Sequence, residues 1–168
     1  MKLLLAIIIT IICMLLILRL FNSTQSTATD KIPELSDGLL LKCPNSPNCI
    51  NSEYPEHKDH YLPPFNIPES ANKQIMAQAE TVLLEMGAYI ITRSEHYLAA
   101  TFSSRVFKFI DDFQLRLNDN GQLLHIRSAS RTGYSDLGVN KQRVKHFLQL
   151  MNTHTNSITI NKAKSENE

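Results

Sequence analysis

Residues 3–18 form an apolar run interrupted only by Thr10, with Lys2 before it and Arg19, Leu20 and Phe21 after it. Such a run constrains the chain first, because a terminal helix apolar all round suits lipid better than one side of a protein core. A bilayer-spanning helix takes about 20 residues, or about 17 at the short end, and this segment reaches that length only if Arg19 snorkels and Phe21 closes it. Residues 1–21 are therefore expected to be a signal anchor, with residues 3–21 in the membrane. A cleaved secretory signal competes: its apolar region is usually about 7–15 residues long and ends in a small-x-small site, which Ser26-Thr27-Ala28 supplies. The length of the run favours retention, and either reading exports the rest of the chain. Lipidation at Cys13 fits poorly, since Ile11 and Ile12 precede it where small residues are needed.

Residues 22–38 are rich in Ser, Thr, Asp and Asn without apolar period and read as a flexible stalk. The folded part is expected over 39–153, with 154–168 a disordered tail. A chain of 168 residues leaves room for one such domain beside its extension. Hydrophobic residues make up 43% and charged residues 20%, so a core can form without metal clips. Of 17 Lys+Arg, two belong to the membrane segment, leaving 15 against 16 acidic residues. That near-neutral domain, without a basic stripe, excludes a nucleic-acid footprint.

Only Cys43 and Cys49 remain for the domain. The prolines and asparagines of Cys43-Pro44-Asn45-Ser46-Pro47-Asn48-Cys49 favour tight turns that bring two cysteines within disulfide range. A zinc site with His57 and His60 is the rival, but structural zinc prefers cysteines two to four residues apart and an oxidising compartment disfavours thiolates. The disulfide is expected, with no metal and no cofactor.

The prolines at 55, 63, 64 and 68 make 54–68 an extended connector. Ile75, Ala79, Val82, Leu83 and Met86 recur at helical spacing before Gly87, predicting a helix. Short strands follow at 88–92 and 97–102. Phe113, Leu115 and Leu117 alternate with polar residues, Asp119-Asn120-Gly121 is a hairpin turn, and Leu124 and Ile126 face opposite to His125 and Arg127 on the return strand. Asn140 is placed to cap a second helix with Val144, Phe147, Leu148 and Met151 as its stripe. The expected fold is α+β: an antiparallel sheet of about four strands with two helices on one face, a two-layer sandwich.

Polar residues crowd the region from Ser103 to Arg143 beyond what turns require. The chain resembles the bacterial and plastid domain of unknown function family 1499, over roughly residues 40–150. The resemblance rests on Cys43-Pro44, Ser46-Pro47-Asn48 and Cys49, on Phe109-Ile110-Asp111-Asp112, and above all on 127–140 with Arg143. It implies an anchor or signal before the domain and brings no activity. Arg127 and Arg131, four apart on a strand, share the face opposite Leu124 and can grip a carboxylate or phosphate, with Ser103, Ser104 or Tyr134 as further donors. Adjacent Asp111 and Asp112 point to opposite faces, so only one joins them. The candidate ligand-binding set is Arg105, Asp112, Arg127, Ser128, Arg131, Tyr134, Asp136, Asn140 and Arg143. The reading favoured for the cluster itself, since charges on sheets are more often structural, is that Arg105, Asp112, Arg127 and Asp136 neutralise one another in an internal network that fixes the long loop. Catalysis is weakly signalled, with no Gly-x-Ser-x-Gly elbow and no nucleotide loop. The expected function is a noncatalytic envelope module, single-pass in a bacterial inner membrane and facing the periplasm, that meets an anionic ligand or envelope protein. A membrane-anchored hydrolase or transferase using Asp112, His125 and Tyr134 is the alternative.

Overall fold

The computed structural model describes residues 2–23, 32–104 and 108–165. In chain order it contains α1 (Lys2–Ser23), β1 (Cys49–Asn51), β2 (Phe65–Asn66), a 3-10 turn (Glu69–Gln74), α2 (Ile75–Glu85), β3 (Tyr89–Arg93), β4 (Tyr97–Ser103), β5 (Ile110–Leu117), β6 (Leu123–Ser130) and α3 (Val139–Ser165). The α+β class holds, but the antiparallel sheet has six strands rather than four, in the order β1-β6-β5-β4-β3 with β2 also on β6. The N-terminal segment is helical, yet among the described residues no helix is long and apolar enough to cross a membrane. Its uninterrupted apolar run falls short of the about 20 residues a bilayer takes.

The period-2 pattern becomes a two-faced sheet. Leu98, Ala100, Phe102, Phe113, Leu115, Leu124 and Ile126 form one face and pack with Ile75, Ala79, Val82 and Leu83 of α2 and Val144, Phe147 and Met151 of α3. Phe113 sits at the centre, its ring 5.2 Å from Phe147 and 5.9 Å from Phe102. Gly87, at φ 82°, ends α2 in the left-handed region that glycine adopts without strain.

The two additional strands complete the outer edge of β6. Cys49, Ile50 and Asn51 pair with Ala129, Ser128 and Arg127, and Phe65 and Asn66 with Leu124 and Leu123. Ser52 closes the gap between them: its N–H donates to Ile126 O at 3.0 Å, and its Oγ accepts from Ile126 N–H at 2.8 Å. Every β6 residue from Leu123 to Ala129 except His125 therefore has a neighbour on that edge. A buried backbone group demands such a partner.

The second face of the sheet is not open. Residues 32–43 run across it as a strap: Gln114 Nε2 donates to Pro33 O (2.9 Å), Asn51 Nδ2 to Leu41 O (2.7 Å) and Tyr54 OH to Leu40 O (3.0 Å). Ile32 and Leu40 are buried beneath it. The expected stalk therefore stops short of 38, because Ile32 and Leu40 supply apolar cover that the Ser- and Thr-rich stretch before them lacks; residues 24–31 lie outside the described residues. The far end differs too. α3 continues to Ser165, past the expected end at Thr153 and through most of the expected tail, and Thr155 is buried with its Oγ1 donating to Met151 O at 2.8 Å.

A disulfide joins Cys43 to Cys49 with Cα atoms 5.7 Å apart, pinning the strap to β1. The rival histidines sit elsewhere: His60 Nδ1 donates to Cys49 O at 3.0 Å, and among the described residues no group of His, Cys, Asp or Glu is arranged to hold a metal. Closing so short a loop stabilises by about 2 kcal/mol in the chain-entropy model. Replacing both cysteines by serine is expected to lower the unfolding free energy by about that amount in denaturant titrations. An unchanged denaturation midpoint would show that the turn closes without the bond.

Candidate functional site

The strap-covered face carries an ionic cluster. Register places Arg116 opposite His125, Gln114 opposite Arg127 and Asp112 opposite Ala129. Glu53, from the bend just after β1, meets Arg116 as a two-pronged pair, Nε to Oε1 at 2.6 Å and Nη2 to Oε2 at 3.1 Å. The Glu53 side chain is 3% exposed and that of Arg116 11%. Arg131 donates from Nε to Asp112 Oδ1 at 2.8 Å. Arg127 donates from Nη1 to Gln114 Oε1 at 2.9 Å, while its buried Nε has no hydrogen-bond partner. Burial pushes the Asp112 carboxyl up, against the pull of Arg131, and burial lowers the affinity of Arg127 for its proton. Arg127 and Arg131 do share a face, but it is an interior one.

A second network sits on the helix side, where Asp111 points. Arg143 donates from Nη2 to Asp111 Oδ2 (2.8 Å) and from Nη1 to Asn140 Oδ1 (2.7 Å), and its guanidinium lies 4.6 Å from the centroid of the Phe102 ring. Ser128 Oγ donates to Asn140 Oδ1 and Ser130 Oγ to Asp111 Oδ1. Asn140 Nδ2 donates to Ser130 Oγ (2.9 Å) and Asn48 O (3.1 Å). Asn48 in turn donates from Nδ2 to Gly133 O at 2.6 Å. Three motifs distant in sequence thus converge on Asn140. That residue lies inside the first turn of α3 rather than capping it. The cap is Asp136, whose Oδ1 accepts from Gly138 N–H (2.9 Å) and Oδ2 from Asn140 N–H (2.7 Å). A carboxylate suits this position, where free N–H groups and the helix dipole are both positive.

The loop between β6 and α3 is turned outward. Leu137 adopts φ 55°, a left-handed conformation that costs a bulky side chain about 1–2 kcal/mol. Leu137 is 90% exposed and Tyr134 75%. Behind the loop, Val139, Gln142, Arg143 and His146 of α3 line a groove of about 550 Å³ with Glu85, Met86 and Phe102. The candidate residues thus divide. Asp112 and Arg127 are buried on the strap side of the sheet, where Arg131 pairs with Asp112; Ser128, Asn140 and Arg143 lie on the helix side; Asp136 caps and Tyr134 projects. Arg105 lies outside the described residues. Ser104 Oγ is used within its own turn, accepting from Phe109 N–H at 2.9 Å. Glu53, Arg116, Asn48, Asp111 and Ser130 are additional members. Asn48 and Asp111 stand in the motifs that carry the family resemblance, whereas nothing local to Glu53 signals its partner.

The catalytic alternative loses its geometry. Four positions of β5 separate Asp112 from Arg116, the register partner of His125, roughly 13 Å along the strand, and no hydrogen bond or ion pair joins Asp112, His125 and Tyr134 to one another. His125 does reach a serine: Nδ1 lies 3.3 Å from Ser52 Oγ and 3.3 Å from Glu53 Oε2. With Nδ1 carrying its hydrogen toward the carboxylate, that nitrogen has no lone pair left to take the serine proton, and Ser52 Oγ already holds up Ile126 N–H.

Burial lowers the His125 pKa, opposed by Glu53 and assisted by Arg116. A histidine held neutral by folding contributes stability above its unfolded pKa of about 6.5, and that contribution is lost as pH falls below this value toward the lowered folded pKa. Denaturant titrations are expected to show a larger loss between pH 7.5 and 5.5 for the wild type than for His125→Gln. Equal losses would assign the pH dependence to other groups.

No curated protein matches the chain. A family model described as a protein of unknown function, DUF1499, matches residues 39–151, from the strap to the buried Met151 of α3. That span holds the disulfide, the complete sheet and all of the residues that meet at Asn140, and by it the chain belongs to the DUF1499 family.

Proposed function

We propose that the chain is a noncatalytic module tethered to a bacterial inner membrane by its N-terminal apolar segment, with its domain in the periplasm, and that it takes an anionic group in the groove beside Arg143. The observation that carries the binding reading is the setting of this guanidinium. Asn140, Asp111 and the Phe102 ring fix it from three sides, yet it borders the open groove with Gln142 and His146. An arginine has five N–H donors in a rigid fork, so two internal bonds leave others for a carboxylate or phosphate. Arg127 and Arg131 are the weaker candidates, since the strap covers the first and Asp112 holds the second. The tether reading is supported by the apolar run, whose shortness a bilayer accommodates by local thinning. The periplasmic reading is supported by the Cys43–Cys49 bond, which persists in oxidising compartments. His125 supports the noncatalytic reading through its engagement with Glu53.

The test is a thermal-shift comparison of the full chain in neutral detergent with sodium phosphate, sodium glucuronate or sodium chloride at equal ionic strength. An anion at ten times its dissociation constant stabilises by about 1.4 kcal/mol. The wild type and Arg131→Gln are expected to show that gain with phosphate or glucuronate, and Arg143→Gln to lose it. A wild type that responds to neither anion beyond chloride rejects the groove.

A further inference from the structure

We infer that the loop 131–139 is a membrane-docking tip whose partner is the surface of an anionic phospholipid bilayer. Beyond α1, the large hydrophobic side chains exposed among the described residues are Leu84, Tyr89, Tyr134, Leu137 and Val139. Three of the five fall within six residues of this loop. The loop is also held in place. Leu137 N–H donates to Ser135 Oγ at 3.2 Å, Asp136 accepts from two backbone N–H groups, and Asn48 grips Gly133 O. Leu137 keeps a left-handed backbone that leucine disfavours, and the result points its side chain at solvent.

The surrounding charge selects the partner. Between 131 and 146, Arg131 and Arg143 are held by Asp112 and Asp111, which leaves Lys141 and Lys145 beside one acid, Asp136, whose two oxygens are engaged by backbone. Lys141 and Lys145, one turn apart on α3, are exposed, and Lys108 is exposed at the same end of the sheet. A tyrosine and two aliphatic side chains ringed by lysines match the interfacial zone of an anionic bilayer, where apolar burial and charge attraction add. The chain path brings this end near lipid. The strap descends from Pro33, at the level of Gln114, to Asp37 and Leu39 beside Asn118 and Asn120, so its N-terminal end points toward the tip. Residues 24–31 span at most about 28 Å, which keeps the domain close to wherever α1 is held. The inference uses the proposed tether for delivery and is independent of the Arg143 groove.

The chain contains no tryptophan, so Leu137→Trp is a lone fluorophore. The full-length variant is reconstituted into phosphatidylglycerol or phosphatidylcholine vesicles with or without brominated acyl chains, and Glu95→Trp, in the exposed turn between β3 and β4 at the opposite end of the sheet, serves as the reference. In phosphatidylglycerol the residue 137 reporter is expected to shift to shorter wavelength and lose most of its emission to the brominated chains, while the residue 95 reporter does neither. Weaker quenching is expected in phosphatidylcholine and in Leu137→Trp carrying Lys141→Gln and Lys145→Gln. A chain that floats with the vesicles while its residue 137 reporter stays water-exposed overturns the tip and leaves the tether standing. A chain that does not float overturns both. Equal quenching in the two lipids overturns the selection for anionic surface. A reporter shielded from water but untouched by brominated lipid points to a protein partner and overturns the lipid assignment.

Discussion

Glu53→Ala is expected to lower the unfolding free energy by about 3–5 kcal/mol, the cost of leaving one member of a buried ion pair uncompensated. The expectation rests on burial and geometry together. Glu53 comes from a bend just after β1, outside regular structure, yet its carboxylate receives both Nε and Nη2 of Arg116 and lies 3.3 Å from His125 Nδ1. Without it, the Arg116 guanidinium keeps its charge and has only a 3.4 Å contact to Leu117 O among its described bonds. Leu40 N–H of the strap also loses Glu53 Oε1, a long contact at 3.4 Å. For a domain of this size the loss corresponds to roughly 10–20 °C in Tm. Charge and shape are separated by pairing the change with Arg116→Met. Removing both ions returns much of the stability if desolvated charge is the cause, because buried pairs replaced by apolar groups are often near neutral. A single variant within about 1 kcal/mol of wild type would place the pair in water rather than under the strap.

How legible this was in the sequence depends on the distance over which each interaction acts. The alternation through Phe113, Leu115 and Leu117, and again through Leu124 and Ile126, is a local signal, and it yields strands, faces and the sharing of one face by Arg127 and Arg131. What covers that face is not local. The strap lies some 80 residues from Gln114 in the chain, separation 81 for the Gln114 to Pro33 bond, and no period in 32–43 announces it. A polar sheet face therefore read as one open to an anionic ligand, when Pro33, Leu40 and Glu53 were to close it. β1 and β2 were missed for a related reason. Segments of three and two residues among prolines have no pattern of their own, and the unpaired edge of β6 makes them strands.

The helix start shows a different failure. An asparagine just before an apolar stripe is a sound cap signal. The chain instead passes through Leu137 and Gly138, both with positive φ, which shifts the cap to Asp136 and turns Asn140 inward. Leucine is a poor marker for such a turn, so the shift was hidden. The tight convergence of Asn48, Asp111, Ser130 and Arg143 was hidden with it, although the motifs containing them were visible.

Asn140→Ala is expected to cost about 3 kcal/mol, because it leaves several buried partners unpaired, each worth about 1–3 kcal/mol when stranded. Asn140 is fully buried, and both ends of its amide are occupied: Oδ1 accepts from Ser128 and Arg143, and Nδ2 donates to Ser130 and the Asn48 carbonyl. The amide alone among side chains offers two donors and two acceptors in this arrangement. Asn140→Leu is the informative companion. It restores most of the volume and none of the bonds, so it should fare no better than alanine if hydrogen bonding carries the site. Recovery in the leucine variant would make Asn140 a packing residue. Loss of Asn140 also frees one of the two internal bonds that orient Arg143, so the phosphate or glucuronate response of the groove should weaken in Asn140→Ala even where the domain is still folded. An unchanged response would show that Asp111 and the Phe102 ring position the guanidinium without it.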